Sequence, residues 1–280
     1  MSWLETYRGT VHRWEVDPVD HFTVAYYFER LEEATATILR AVGLDDAVPA
    51  VRECRVRYIR ELRVGDILHI RSGVLSADER GLILGHEVVD SANDSVCTTV
   101  EMQVGAALDA AGRERARALA AVWSTMPEPS RPDAGTVPAA DAGFVDATLD
   151  TVKPWELDRH GRADWPAHIH RFTAANGQVI AAFGMTPGYM REQRRGFSTF
   201  EFRLRFEGTL GLGDQVRVRS ALLHVGTSSM RILHRMADTA TGKIVATLEQ
   251  SGVHLDLLAR RPAPLPDDLR ARALALVVAR

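Results

Sequence analysis

Thr10-Val11-His12-Arg13-Trp14-Glu15-Val16-Asp17 decides the fold, because it returns as Thr151-Val152-Lys153-Pro154-Trp155-Glu156-Leu157-Asp158. From there the register runs without gaps through Arg30/Arg171, Ala34/Ala175 and Gly43/Gly184. The second copy carries a short extra stretch, around Met185 to Gly196, after which the match resumes. Arg55/Arg203, Arg57/Arg205, Leu62/Leu210, Gly65/Gly213, Asp66/Asp214, His86/His234, Asp90/Asp238 and Glu101/Glu249 then coincide. An internal repeat of this length means two copies of one fold, so the chain divides into two domains of about 110 residues each.

Each copy has a legible order of elements. Residues 10–16 read as a short strand. Thr23 to Val42 reads as a helix, with Val24, Phe28, Leu31, Ala34, Ile38 and Val42 on one face at helical spacing. Thr23 is placed to cap it and Gly43 to stop it. Period-2 alternation then marks strands at Cys54–Leu62, Asp66–Ala77, Gly81–Val89 and Val96–Ala107, separated by polar turns. One long apolar helix followed by an antiparallel meander is buried only if the sheet curls around the helix, which makes each copy an α+β domain. The expected organisation is residues 1–110 for the first domain, 111–150 for a connector and 151–259 for the second domain, with a helical tail over 260–280. Within the connector, Arg113 to Trp123 reads as a helix and Pro127 to Pro138 as an extended crossover. Asp267 to Arg280 reads as a helix after the Pro262-Ala-Pro-Leu-Pro stretch.

Composition narrows the functional classes. The chain has 280 residues, 46% hydrophobic and 25% charged, which is a globular balance and excludes disordered and fibrous classes. No apolar run approaches the ~20 residues that cross a bilayer. The N-terminus lacks the apolar core of a secretory signal, so a cytoplasmic location and no membrane partner are expected. A net charge of -3 gives no general attraction to nucleic acid. Cys54 and Cys97 supply neither a disulfide framework nor a zinc site and read as core residues. No His/Cys/Asp spacing supports a metal; His168 and His170, two apart on a helix, do not share a face. His86 and His234 recur at matching strand positions and read as structural.

Strand, Asp, a few residues, His, then a long helix and four strands resembles the layout of hotdog-fold acyl-CoA thioesterases. Trp14-Glu15-Val16-Asp17-Pro18-Val19-Asp20-His21-Phe22-Thr23-Val24 is similar to the 4-hydroxybenzoyl-CoA thioesterase type, and Tyr26-Tyr27-Phe28 and Glu32-Glu33-Ala34 fit that family's helix. The resemblance covers both copies and implies a tandem double-hotdog arrangement. It also implies an acyl-CoA or acyl-carrier thioester as substrate, coenzyme A present only as part of that substrate, no cofactor and no metal, and a homo-oligomer by analogy. The sequence departs from the family at Asp20, where Gly is usual, and at Thr23, where Asn is usual. In the second copy Asp158 remains, while Arg162, Ala163 and Asp164 replace His21, Phe22 and Thr23. One competent site per chain is therefore expected.

Thioester hydrolysis requires a nucleophile or activated water and a stabilised oxyanion. A carboxylate facing a helix N-terminus supplies both, as base or nucleophile and through free backbone N–H groups. The candidate catalytic residues are Asp17, His21 and Thr23, with His21 orienting Asp17 or contacting the substrate. Phe22, Val24, Tyr26, Tyr27 and Trp165 are candidates for binding the acyl group between the halves. Arg194 and Arg195, in the added stretch, are candidates for the phosphates of coenzyme A. Each assignment has a plainer competitor. Asp17-Pro18 also reads as a turn, Asp158 as a structural residue, and the arginines alternating around Arg52–Arg63 and Arg203–Arg205 as solvated strand faces. Two other functions fit the same layout: a hotdog enoyl-thioester hydratase or dehydratase, and a non-catalytic acyl-thioester binding protein.

Overall fold

The computed structural model describes residues 3–17, 19–44, 50–79, 81–106, 108–123, 138 and 141–278. The chain forms two compact units, Met1–Glu128 and Pro129–Arg280. Both are mixed α+β.

In the first unit, β1 (Leu4–Thr10) is followed by α1 (Val24–Ala41), β2 (Ala50–Tyr58), β3 (Ile67–Asp78), β4 (Gly81–Asp90), β5 (Ser95–Gly105) and α2 (Ala110–Ala118). The strands pair antiparallel in the order β1-β3-β4-β5-β2. α1 forms because Phe28, Leu31, Ala34 and Ile38 recur on one face, and all four are fully buried. It packs on β1 and β3. Gly43 ends it with a left-handed backbone, φ 85°.

The second unit repeats this plan. β6 (Val145–Thr151), α3 (Trp165–Ala182), β7 (Arg195–Phe206), β8 (Gln215–Val225), β9 (Ser229–Asp238) and β10 (Ile244–Asp256) pair in the order β6-β8-β9-β10-β7. Even the irregularities recur: the register shift at Glu5/Tyr7 reappears at Asp146/Thr148, and that at Val74/Ser76 at Leu222/His224. The added stretch folds as a short helix, α4 (Pro187–Glu192). A two-residue strand, β11 (Arg261–Pro262), pairs with β10, and α5 (Asp267–Ala275) follows. Val179 and Ile180 of α3 and Phe183 just beyond its end share one core with Leu222 and Ile232, and Leu265 and Ala273 belong to the same core.

Several expected boundaries move. Residues 10–16 are not a strand: β1 ends at Thr10 and Arg13–Glu15 form a 3-10 turn. The cause is long-range. The Glu15 carboxylate accepts the His12 N–H at 2.8 Å and pairs with Arg30 on α1, pulling the chain out of extended geometry. Lys153–Glu156 and Arg171 do the same in the second unit. The turn leaves Trp14 70% and Trp155 77% exposed. β6 begins inside the stretch expected to be connector, and the connector helix runs over Ala110–Ala118. Of the expected crossover, 127–137 lie outside the described residues. Among the described residues no helix is long and apolar enough to cross a membrane.

Candidate active site

The loop after the 3-10 turn is built on Asp17. Its N–H donates to the His21 carbonyl at 2.9 Å, and its own carbonyl accepts the Asp20 N–H at 3.0 Å. Asp17 Oδ1 accepts the N–H groups of Val19 and His21, each at 2.9 Å. The carboxylate thus ties its own turn, as the plain turn reading of Asp-Pro requires. Asp20 has φ 65°, a left-handed conformation that favours glycine, and its counterpart in the second unit is Gly161 with φ 74°. The departure from the family at Asp20 therefore sits on a position whose backbone asks for Gly.

The loop is clamped to the sheet and to the helix. Phe22 N–H donates to the Leu62 carbonyl and Thr23 N–H to the Glu15 carbonyl, both at 2.8 Å. α1 then starts at Val24, with Thr23 at the cap position but no side-chain cap hydrogen bond. The Tyr26 N–H reaches the Thr23 carbonyl at 2.9 Å. His21 is buried, and its Nε2 lies 3.0 Å from Glu61 Oε1. Asp17 is half-buried, and burial pushes its carboxyl above the ordinary carboxylate range despite the amide bonds from His21 and Val19.

The second unit folds the same loop around opposite electrostatics. Asp158 Oδ1 accepts the N–H groups of His160 and Arg162 at 2.7 and 3.0 Å. Its Oδ2, however, is gripped by the Arg162 guanidinium at 2.8 and 3.1 Å. Burial pushes Asp158 up, but the Arg162 hydrogen bonds outweigh it and hold the carboxyl below its usual value. Asp164 caps α3 by accepting the Ala167 N–H at 2.8 Å. Here the carboxylate is neutralised and a second carboxylate sits at the start of the helix.

The remaining candidates divide by burial. Phe22 and Tyr27 are each 4% exposed, with ring centroids 4.5 Å apart, and Tyr27 meets Tyr58 edge-on at 5.3 Å. They form a packed floor beneath the loop. Val24 and Tyr26 are half-buried, with Tyr26 parallel to Phe22 at 6.4 Å. Trp165 is half-buried at the start of α3 and packs on Phe206 at 6.1 Å. Arg194 is exposed, while Arg195 pairs with Asp256 at 2.8 Å. His86 and His234 are wholly buried, each bound through Nδ1 to a serine, Ser72 and Ser220, at 2.7 Å. Burial drives them down to about 3 and about 4. Cys54 and Cys97 are buried thiols pushed up by that burial. Among the described residues no cluster of His, Cys, Asp and Glu could hold a metal ion.

The residue that sequence reasoning missed is Glu61. It reads as one charge in an alternating strand end, Arg60-Glu61-Leu62-Arg63. A signal did exist: with Leu62 aligned on Leu210, Glu61 falls on Thr209, so the glutamate is absent from the copy in which Arg162 replaces His21.

The Thioesterase-like superfamily model matches residues 11–128 and again 152–273. An L-carnitine dehydrogenase/betainyl-CoA thioesterase of Rhizobium meliloti (strain 1021) is 24% identical over 116 residues, which is 41% of this chain and 23% of that protein. The chain thus spans about a quarter of that curated relative. Among solved structures, one described as an oleoyl thioesterase from Lactobacillus plantarum superposes with a TM-score of 0.68 at 10% identity, covering 95% of this chain and 98% of the other. The 12:0-ACP thioesterase from Umbellularia californica gives a TM-score of 0.64 at 13% identity, covering 92% and 93%. At these identities the structural likeness shows the fold, a tandem hotdog. The matched segments coincide with the duplicated halves, and the chain belongs to the thioesterase-like superfamily, with one family module in each half.

Proposed function

We propose that the first unit hydrolyses an acyl thioester to a free acid and a thiol, with Asp17 as the reacting carboxylate. One observation carries the reading: of two loops with the same backbone, one holds an Asp raised by burial beside a helix start without a side-chain cap. The other holds an Asp neutralised by arginine beside a helix start filled by Asp164. A structural role alone would not favour the difference, since both carboxylates tie their turns equally well.

As general base, Asp17 takes a proton from water as the water oxygen bonds to the thioester carbon. The tetrahedral intermediate then expels the sulfur, which leaves as thiol with that proton. As nucleophile, Asp17 bonds to the thioester carbon and the carbon–sulfur bond breaks, giving a mixed anhydride and a thiolate that takes a proton from water; water then cleaves the anhydride, regenerating the Asp17 carboxylate and releasing the acid. In both routes the carbonyl oxygen gains charge and is stabilised by the amides and dipole at the start of α1. His21, held by Glu61, fixes the loop that carries Asp17. Val24 and Tyr26 present partly exposed surface to the acyl group above the Phe22–Tyr27 floor. The scheme needs no cofactor; coenzyme A or an acyl carrier enters as part of the substrate. Self-association is part of the same reading, by analogy with the fold, and light scattering on the full chain tests it.

The deciding experiment is a thiol-release screen over a varied acyl-CoA panel, run beside water addition to an enoyl-CoA. Thiol release supports hydrolysis. Hydration without thiol release would replace it with a hydratase, and binding without either would leave an acyl-thioester binding protein.

A further inference from the structure

Four aromatic rings run in contact from the Asp17 loop into the first unit. Phe22 follows His21 directly, and its ring lies 6.4 Å from Tyr26 and 4.5 Å from Tyr27, which meets Tyr58 of β2 edge-on at 5.3 Å. The Phe22 N–H donates to the Leu62 carbonyl at 2.8 Å, so the anchored loop fixes where this ring sits.

The neighbours of these rings are core residues. Phe28 and Leu31 follow on α1, Leu62 carries the carbonyl that holds Phe22, and Thr98 lies directly opposite Tyr58; all four are 0 to 1% exposed. Folded interiors are packed to near-crystalline density, with few voids larger than a water molecule. Phe22, Tyr27 and Tyr58 therefore close the unit beneath the loop, while Val24 and Tyr26, both half-buried, keep exposed surface.

The fold itself does not require this layer. The second unit repeats the loop, the helix and the strand order with Ala163 in place of Phe22, His168 in place of Tyr27 and Phe206 in place of Tyr58. Its rings pack differently: Phe206 lies 6.1 Å from Trp165 and meets His168 edge-on at 5.5 Å. The three-ring layer thus accompanies the loop whose carboxyl is pushed up by burial, not the architecture that both units share.

We propose that Phe22, Tyr27 and Tyr58 set the size of the acyl group, closing the site to all but short-chain or single-ring acyl thioesters. The proposal rests on the thioester reading, with the acyl group lying against the loop that carries Asp17. A short acyl group is covered by the open surface of Val24 and Tyr26. A long chain meets filled core, where added methylenes are buried only by displacing packed rings.

Thiol release from acetyl-, butyryl-, benzoyl-, octanoyl- and dodecanoyl-CoA is measured on the full chain. kcat/KM is expected to peak at butyryl- or benzoyl-CoA and to be about tenfold lower or less for dodecanoyl-CoA. Phe22→Ala and Tyr58→Ala each vacate a ring, and each is expected to raise octanoyl- relative to butyryl-CoA by about fifteenfold, roughly fourfold for each of two methylenes newly buried. Phe22→Leu is expected to shift the profile the same way by less, and it serves if an alanine variant does not fold. Phe206→Ala, the matching change in the second unit, is expected to leave the profile unchanged, with circular dichroism checking folding. A parent that prefers dodecanoyl-CoA, folded Phe22 and Tyr58 variants with the parental profile, or a shift caused by Phe206→Ala overturns the proposal. Analogues of the butyryl and dodecanoyl thioesters with a methylene between sulfur and carbonyl are not hydrolysed, and calorimetry with them separates the two readings. Tighter binding of the butyryl analogue, with no thiol released from any substrate, overturns hydrolysis and keeps the size limit. Equal or tighter binding of the dodecanoyl analogue, or binding of neither, overturns the size limit.

Discussion

Replacing Asp17 by Asn separates chemistry from architecture. The Asn side-chain oxygen can still accept the Val19 and His21 amides that Asp17 Oδ1 accepts at 2.9 Å each. Each such bond is worth about 1 kcal/mol net, so Asp17→Asn keeps about 2 kcal/mol that Asp17→Ala forfeits. The Asn variant also removes a carboxylate that burial has already pushed up, a charge that disfavours the folded state at neutral pH. Its unfolding midpoint in urea is therefore expected at or above that of the parent, and the Ala variant's below it. Both variants lose the base or nucleophile, and thiol release is expected to fall by about 100-fold or more, equivalent to at least about 2.7 kcal/mol in the barrier. The parent's rate needs the ionised carboxylate, so it falls as pH drops through a pKa above the usual aspartate value of ~3.9. Thiol release by stopped-flow or end-point thiol titration, paired with urea melts, reads all of this. An Asn variant that is folded and retains more than a tenth of parental turnover would show that Asp17 only ties its turn.

Other expectations follow from the contrast between the halves. Thr23→Asp gives α1 the cap that Asp164 gives α3; it is expected to stabilise the fold by ~1 kcal/mol and to slow thiol release, and an equal or faster rate would count against the helix start as the oxyanion site. Asp20→Gly relieves a left-handed residue and is expected to raise stability by up to about 1 kcal/mol in chemical denaturation, whereas a loss would mean the Asp20 side chain is needed there. His86, His168 and His234 are buried and held down to about 3, about 4 and about 4. The unfolded chain binds those protons from about pH 6.5 downward, so stability is expected to fall with pH from 6.5 to about 4. A urea midpoint flat across that window would refute neutral burial of these rings.

The parts of the fold legible in the sequence are those set by local rules. The apolar face of α1, the glycine stop at Gly43 and the alternation in β3 to β5 are all periodicities within one element, and the repeat doubled every one of them. The extended reading of residues 10–16 failed because Glu15 answers to Arg30, a partner on another element that no local pattern reveals. α4 lies in the added stretch, which has no counterpart in the first copy to mark its structure; there Thr186 caps a helix whose first turn accommodates Pro187. At the candidate site the Asp17 loop could be read from motif order. The approach of Glu61 to His21 could not, since it depends on which strand end faces the loop.

The Arg162–Asp158 pair and the Asp164 cap also bear on the history of the duplicate. Reopening the second loop requires changes at Arg162, at Asp164 and at Thr209, where the first copy has His21, Thr23 and Glu61. Loss of the cap alone costs about 1 kcal/mol, and loss of the guanidinium strands a partly buried carboxylate. Of these changes, those at Arg162 and at Asp164 each cost folding stability when made alone. In terms of stability the second loop is a ratchet: its guanidinium and its cap each penalise a single change toward the residues of the first loop.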